Sequence, residues 1–316
     1  MITSDIKNQK INVLKKVFGY DSFRPGQEEI VDNILAGRDV LGIMPTGAGK
    51  SICYQLPALM LSGITIVVSP LISLMIDQVK ALKEAGVHAA YINSALSENQ
   101  VTKALYNAMC GRYKIVYVAP ERLETNRFLE FVMNADISMI TVDEAHCISQ
   151  WGQDFRPSYL KIVNLIKLLP KRPVVSAFTA TATAAVKDDI ACVLGLEKPF
   201  VKVTGFDREN LYFEVRHSKH KDAEVLDYVL SHRGESGIIY CATRKNVDKV
   251  YLMLKKNGVA ATRYHAGLDN DMRRENQSRF IYDETPVIVA TNAFGMGIDK
   301  SNVRYVLHYN MPQGWR

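Results

Sequence analysis

Short, continuous runs of β-branched and other apolar residues recur along this chain, separated by segments with helical spacing. Val40–Met44, Ile64–Val68, Lys114–Val118, Met139–Val142 and Val174–Phe178 form a first set. Ile238–Tyr240, Ala260–Tyr264, Val287–Ala290 and Tyr305–Leu307 form a second. A strand with one wet face alternates apolar and polar residues. A strand apolar throughout must be covered on both faces, and helices between successive strands supply that cover. The pattern therefore predicts an α/β chain with parallel sheets. At roughly 150 residues per domain, 316 residues allow about two of them. Gly195–Asn210, carrying Lys198, Pro199, Gly205 and several polar residues, is the expected linker, with domains at 1–205 and 206–316.

Composition excludes other classes. Hydrophobic residues at 47% and charged ones at 23% are those of a globular chain, not a disordered or collagen-like one. The net charge of +6 and pI near 8.9 suit a polyanionic partner without demanding one. The charge is spread: 22 basic and 19 acidic residues lie in 1–205, and 17 and 14 in 206–316. Any nucleic-acid site is then expected to be a local groove, not a basic tail. The five cysteines never form Cys-x-x-Cys, which argues against a zinc site or disulfide framework and for a reducing compartment. Met1 to Lys16 is polar and holds no signal-peptide apolar segment. Ser51 to Ile76 is 26 residues without a charge, but Gln55, Pro57, Gly63, Ser69 and Pro70 interrupt it. It reads as helix, turn, buried strand, turn, helix, and no membrane association is expected.

Two segments carry chemistry. The first is Pro45-Thr46-Gly47-Ala48-Gly49-Lys50-Ser51, between a strand and a helix-compatible run. Glycines let backbone N–H groups approach phosphate oxygens, and the helix N-terminus adds partial positive charge. Lys50 would reach the β- and γ-phosphates, and the Ser51 hydroxyl would ligate Mg²⁺. The strict phosphate-loop pattern has glycine where Met44 stands, so a plain glycine-rich turn is the competing reading. The second is Asp143-Glu144-Ala145-His146, directly after a strand. An aspartate there can hold the Mg²⁺ shell, and a neighbouring glutamate can activate the attacking water. Alone, such a segment is an acidic turn; with a phosphate loop upstream in a parallel sheet it is half of a nucleotide site. Further upstream, Gln27 could read an adenine edge while Tyr20 or Arg24 stacks on the ring. Without other motifs, the same residues are a turn leading into a helix.

Together these residues resemble the core of RecQ-family DNA helicases, in superfamily 2. The motifs run in the family's order: Phe23-Arg24-Pro25-Gly26-Gln27, the phosphate loop, Ser69-Pro70-Leu71-Ile72-Ser73-Leu74-Met75, Ala119-Pro120-Glu121-Arg122-Leu123 and the acidic box. Thr179-Ala180-Thr181-Ala182, Phe206-Asp207-Arg208, Tyr240-Cys241, Tyr264-His265-Ala266-Gly267-Leu268 and Ala290–Lys300 follow. The most specific is Gln150-Trp151-Gly152-Gln153-Asp154-Phe155-Arg156-Pro157, which looks like the family's aromatic-rich loop. There it couples single-stranded DNA binding to ATP hydrolysis, so Gln150, Trp151, Asp154, Phe155 and Arg156 are the expected coupling residues. Indole and phenyl rings stack on bases and an arginine meets phosphate; the bland alternative is a loop whose Trp and Phe pack into the core.

The resemblance implies two tandem RecA-like domains, ATP and Mg²⁺ as cofactors, and single-stranded and tailed duplex DNA as partners. Catalysis would rest on Lys50, Asp143 and Glu144, metal binding on Ser51 and Asp143, and ATP binding on Tyr20, Arg24, Gln27 and Thr46 to Ser51. The implied activity is 3′–5′ translocation and unwinding in a bacterial-type cytoplasm, near the nucleoid. Gln153, Thr243 and Glu209 stand where relatives often carry His, Ser and Pro. After Pro312 the sequence reads Gln313-Gly314-Trp315-Arg316, where the family continues to Gln-x-x-Gly-Arg-x-Gly-Arg, whose arginine meets the γ-phosphate. The second domain is thus expected to be incomplete, and an ATP- and DNA-binding fragment without turnover is one alternative function. An RNA-remodelling ATPase is another.

Overall fold

The structure is a computed structural model that describes residues 4–151, 154–205, 210–292, 294, 300 and 302–311. The chain divides into two compact units, residues 1–208 and 209–316. The first opens with α1 (Ser4–Phe18), α2 (Gln27–Leu35), β1 (Val40–Ile43), α3 (Lys50–Met60), β2 (Ile64–Val68) and α4 (Ile72–Glu84). It continues with β3 (Ala89–Ile92), α5 (Glu98–Met109), β4 (Ile115–Val118), α6 (Asn126–Asn134), β5 (Ile137–Val142), α7 (Leu160–Leu168), β6 (Val174–Thr179), α8 (Ala184–Val193) and β7 (Phe200–Val203). Its seven strands lie in the order β3-β4-β2-β5-β6-β1-β7 and every pairing is parallel. All residues of β1, β2 and β4 are buried. One face packs Leu41, Ile66, Val116 and Ile140 under α5 to α8, and the other packs Val40, Val67, Tyr117 and Phe178 under α2 to α4. Two-sided burial keeps these runs almost wholly apolar; of the polar side chains in them, Thr141 and Ser176 satisfy each other at 2.8 Å across β5 and β6.

The uncharged stretch resolves into α3, β2 and α4, the helix–strand–helix reading. Among the described residues, no helix is long and apolar enough to cross a membrane. The expected linker needs correction, because Phe200–Val203 within it is the seventh strand, paired with β1 from Val40↔Phe200 to Ile43↔Val203. A buried aspartate holds it there. Asp39 accepts from Arg172 Nη2 at 2.6 Å and Nη1 at 3.1 Å, and from the backbone N–H of Val175 (2.9 Å) and Glu197 (2.8 Å). Its own carbonyl accepts from Phe200 N–H at 2.8 Å. Strand β3 also lacked a sequence signature: Ala89 and Ala90 carry no β-branch, and it pairs with one neighbour only.

The second unit holds α9 (Lys221–Ser231), β8 (Ser236–Tyr240), α10 (Arg244–Lys256), β9 (Ala261–Tyr264), α11 (Asn270–Ile281), β10 (Val287–Ala290) and β11 (Val303–His308). Four parallel strands run β11-β8-β10-β9. The α/β class with two parallel sheets is therefore what the molecule adopts. Gly237 on β8 is required: a Cβ there would enter the ring of Tyr305 on β11.

Candidate nucleotide site

In a parallel sheet, the loops at the carboxyl ends of the strands carry the ligands. The phosphate loop follows β1 there, Ser69 follows β2, Asp143 follows β5 and Thr179 closes β6. Helix α3 starts at Lys50, and its N-cap Gly49 has φ +78°. A side chain at Gly49 would be strained at that φ, and its Cβ would collide with Gln27 Nε2. Lys50 Nζ lies 3.1 Å from the Met44 carbonyl, inside the loop.

Gln27 itself departs from expectation. It is buried, and its amide donates to the carbonyls of Ala48 (3.0 Å) and Gly49 (3.1 Å) while Oε1 accepts from Arg24 N–H at 2.9 Å. The amide is turned to the loop and not outward to a base. The Gly49 carbonyl already accepts from Ile52 N–H at 3.2 Å, so Gln27 is a second donor there and ties α2 to the loop. Arg24 also donates to the loop, its Nη1 to the Gly47 carbonyl at 2.5 Å, with its guanidinium 5.9 Å from the Tyr20 ring. Helix α2, which carries Gln27, is pinned to α1 by buried Lys10, ion-paired to Glu28 at 2.9 Å and to Asp32.

The acidic box is wired to its neighbours. Asp143 is buried; Oδ2 faces Ser69 Oγ at 3.4 Å and Oδ1 accepts the Glu144 N–H at 3.0 Å. Burial, then the adjacent Glu144 charge, raise its carboxyl to about 7, against the pull of Lys50. Glu144 sits at φ +49°. Burial works against its charge, but His146 and Lys50 outweigh that and hold it below the usual carboxylate range. His146 is raised to about 9 despite burial, by its contacts with Cys147 and the Glu144 carboxylate. Its Nδ1 lies 2.9 Å from Thr179 Oγ1 and 3.3 Å from Glu144 Oε2. Thr179 donates its own proton to the Thr181 carbonyl at 3.1 Å, so its oxygen is the acceptor for His146.

The loop that follows lies against this box. Trp151 is 78% exposed, which excludes a tryptophan packed in the core. Gln150 is also exposed, and Phe155 is half-buried. Asp154 Oδ2 comes within 3.7 Å of His146 Nε2. Arg156 donates its backbone N–H to Cys147 O at 2.8 Å, and its Nη1 lies 3.4 Å from Pro70 O. The sequence reading missed Tyr159, whose hydroxyl donates to the Asp143 carbonyl at 3.0 Å, and buried Tyr54, one helical turn past Ser51 on α3. Neither bore a signal beyond lying in an apolar context. Gly152, Gln153, Phe206-Asp207-Arg208, Ala293, Gly295 to Asp299 and Pro312 to Arg316 lie outside the described residues.

The box, the phosphate loop and their order along the chain match a known family. Residues 24–189 match the DEAD/DEAH box helicase model, and 220–316 match the helicase conserved C-terminal domain. The chain belongs to the DEAD/DEAH box helicases. Within that family it is 52% identical over 303 residues to the ATP-dependent DNA helicase RecQ of Bacillus subtilis, covering 96% of this chain and 51% of that protein. It is 44% identical to the RecQ of Pasteurella multocida, over 98% of this chain and 49% of that protein. The RecQ resemblance holds, and the chain spans about half the length of these relatives. The fold agrees with Saccharomyces cerevisiae Dbp5 bound to RNA and ADP BeF3, at TM-score 0.74 and 19% identity over 95% of this chain and 78% of that one.

Proposed function

We propose that this helicase core hydrolyses ATP with Mg²⁺ and uses the cycle to move 3′ to 5′ along single-stranded DNA and open tailed duplexes. The observation that carries this reading is the exposed Trp151 on a loop bonded at Asp154 and Arg156 to the acidic box and to Pro70. A base stacking on that indole pulls on groups that contact Asp143 and Glu144.

The backbone N–H groups of Gly47 to Ser51 and the Lys50 ammonium take the phosphates. Ser51 and Asp143 offer the hard oxygen donors that Mg²⁺ prefers, so the residues present fit that ion. It would neutralise charge on the β- and γ-phosphates. Glu144, kept ionised beside His146, is the base that orients water toward the γ-phosphate. Gln27 and Arg24 brace the loop from behind, with the Tyr20–Arg24 pair at its outer edge for the adenine. Domains at 1–205 and 206–316 and a cytoplasmic, nucleoid-associated setting complete the proposal.

The test compares ATP hydrolysis by the chain with no polymer, with single-stranded DNA and with RNA of the same sequence. Stimulation by DNA well above RNA is expected. Equal or greater stimulation by RNA would move the substrate class to RNA.

A further inference from the structure

One cation of the first unit is sealed from water. Lys10 on α1 is 0% exposed, and its ammonium pairs with Glu28 at 2.9 Å and with Asp32, one helical turn apart on α2. Burial works against the charge, but the bonds to Asp32 and Glu28 outweigh it and hold the ammonium above its ordinary 10.5. The same Nζ lies 5.9 Å from the centroid of the Phe23 ring. Beside it, Leu14 of α1, Val31 of α2 and Leu56 of α3 share one buried cluster. The family model begins at residue 24, so it covers neither α1 nor Lys10.

A buried ion pair is a poor source of stability, because desolvation offsets much of the attraction. Its best-attested use is to fix one register of packing where apolar contacts alone allow several. Register matters here. Phe23 and Glu28 flank the segment Arg24-Pro25-Gly26-Gln27, and both meet the one ammonium. The segment therefore begins and ends on Lys10. From it, Arg24 donates to the Gly47 carbonyl, and Gln27 to those of Ala48 and Gly49. A slip of α2 along α1 would break the Glu28 pair and draw both donors off the phosphate loop. Lys202 on β7 holds Glu29 at 2.6 Å, a second tie that keeps α2 attached when Lys10 is replaced.

We propose that Lys10 is a positioning residue: through α2 it holds Arg24 and Gln27 against the phosphate loop and keeps that loop in the shape that takes ATP. This inference rests on the reading of the loop as an ATP site.

The experiment compares the 316-residue parent with Lys10→Met, Lys10→Met/Asp32→Asn, Arg24→Ala/Gln27→Ala, and that last pair combined with Lys10→Met. Methionine keeps the unbranched stem. Asn at 32 removes the charge that Lys10→Met leaves unpaired, which preserves the comparison if the single change unfolds. Two quantities are read: amide hydrogen exchange without nucleotide, and calorimetric affinity for ATP with Mg²⁺. In both Lys10 variants, exchange at Gly47 to Lys50 should rise several-fold while exchange in α7 stays at the parental rate. ATP affinity should fall about three- to tenfold, the worth of one hydrogen bond. In the Arg24→Ala/Gln27→Ala background, Lys10→Met should add nothing to either quantity, a coupling that a uniform loss of stability would not show. Parental loop exchange and ATP affinity in both Lys10 variants would overturn the positioning role and leave the site reading intact. Fully additive losses in the Arg24→Ala/Gln27→Ala background would overturn it too. A parent that binds no ATP would overturn the site reading, while exchange measured without nucleotide decides separately whether Lys10 holds the loop.

Discussion

The Tyr159 hydroxyl donates to the Asp143 backbone carbonyl at 3.0 Å, both groups buried. Tyr159 closes the loop that begins at the exposed Trp151, and Asp143 opens the acidic box. The loop is thereby fixed at its far end to the residue next to Glu144. Tyr159→Phe keeps the ring and deletes the bond. It should lower DNA stimulation of ATP hydrolysis several-fold and leave DNA affinity within about twofold, because phosphate contacts dominate affinity. ATPase rates across a DNA titration separate the two quantities.

Lys50→Ala should lower ATP affinity by about a hundredfold, since an ammonium next to phosphate is a charge-assisted contact worth roughly 1.5–3 kcal/mol. The side chain's polar partner in the free protein is the Met44 carbonyl at the loop. The melting temperature should therefore move little. Calorimetric titration alongside a thermal melt checks both halves.

Glu144→Gln removes the base and keeps the shape. ATP binding should persist, and hydrolysis should fall by ~10²-fold or more, the usual worth of a general base. Single-turnover hydrolysis at saturating ATP tests it; parental turnover would move the base elsewhere.

Trp151→Ala should cost little stability, within about 0.5 kcal/mol, because the indole is 78% exposed. The same change should remove most of the DNA stimulation. Urea unfolding and DNA-stimulated ATPase, measured on one preparation, give both numbers.

His146 rises to about 9 from an ordinary value of 6.5. A raised folded-state pKa contributes stability that is complete below 6.5 and lost as pH climbs through 9. Asp143, also raised, acts in the same sense at lower pH, between its ordinary 3.8 and about 7. Unfolding free energy should thus decline from pH 6.5 to 9.5, and His146→Gln should flatten that decline. Urea melts at half-unit pH steps read the difference; identical slopes would mean that His146 is neutral in the folded chain.

Asp39→Ala strips acceptors from Arg172 and from two backbone N–H groups. Leaving a charge and buried donors unpaired should cost about 3 kcal/mol, read as a lowered urea midpoint. Hydrogen exchange at Phe200 to Val203 should rise most, because these contacts seat β7.

Much was legible in the sequence because it depends on near neighbours in the chain. A strand buried on both faces is apolar at nearly every position, so β1, β2, β4 and β10 announce themselves. Gly49 and Lys50 are set by a turn and a helix start, and Asp143 with Glu144 by the end of a strand. Strands β3 and β7 were hidden because edge strands with one partner tolerate alanine, lysine and exposed valines. What seats β7 is Asp39, about 160 residues upstream of it in sequence.

The inward turn of Gln27, the bracing of the loop by Arg24 and the bond from Tyr159 to Asp143 belong to the tertiary structure alone. Each is a hydrogen bond between a side chain and a backbone carbonyl, and any residue type provides that carbonyl, so no pattern of side chains encodes the partner. The bonds of Gln55 to Gln78 and to the Tyr117 hydroxyl join side chains of two helices and a strand, and only packing those elements together brings their polar ends into contact. The sequence by itself determined which chemistry the chain carries, through local motifs; the packing decided which groups orient that chemistry, because orientation depends on neighbours brought together by folding.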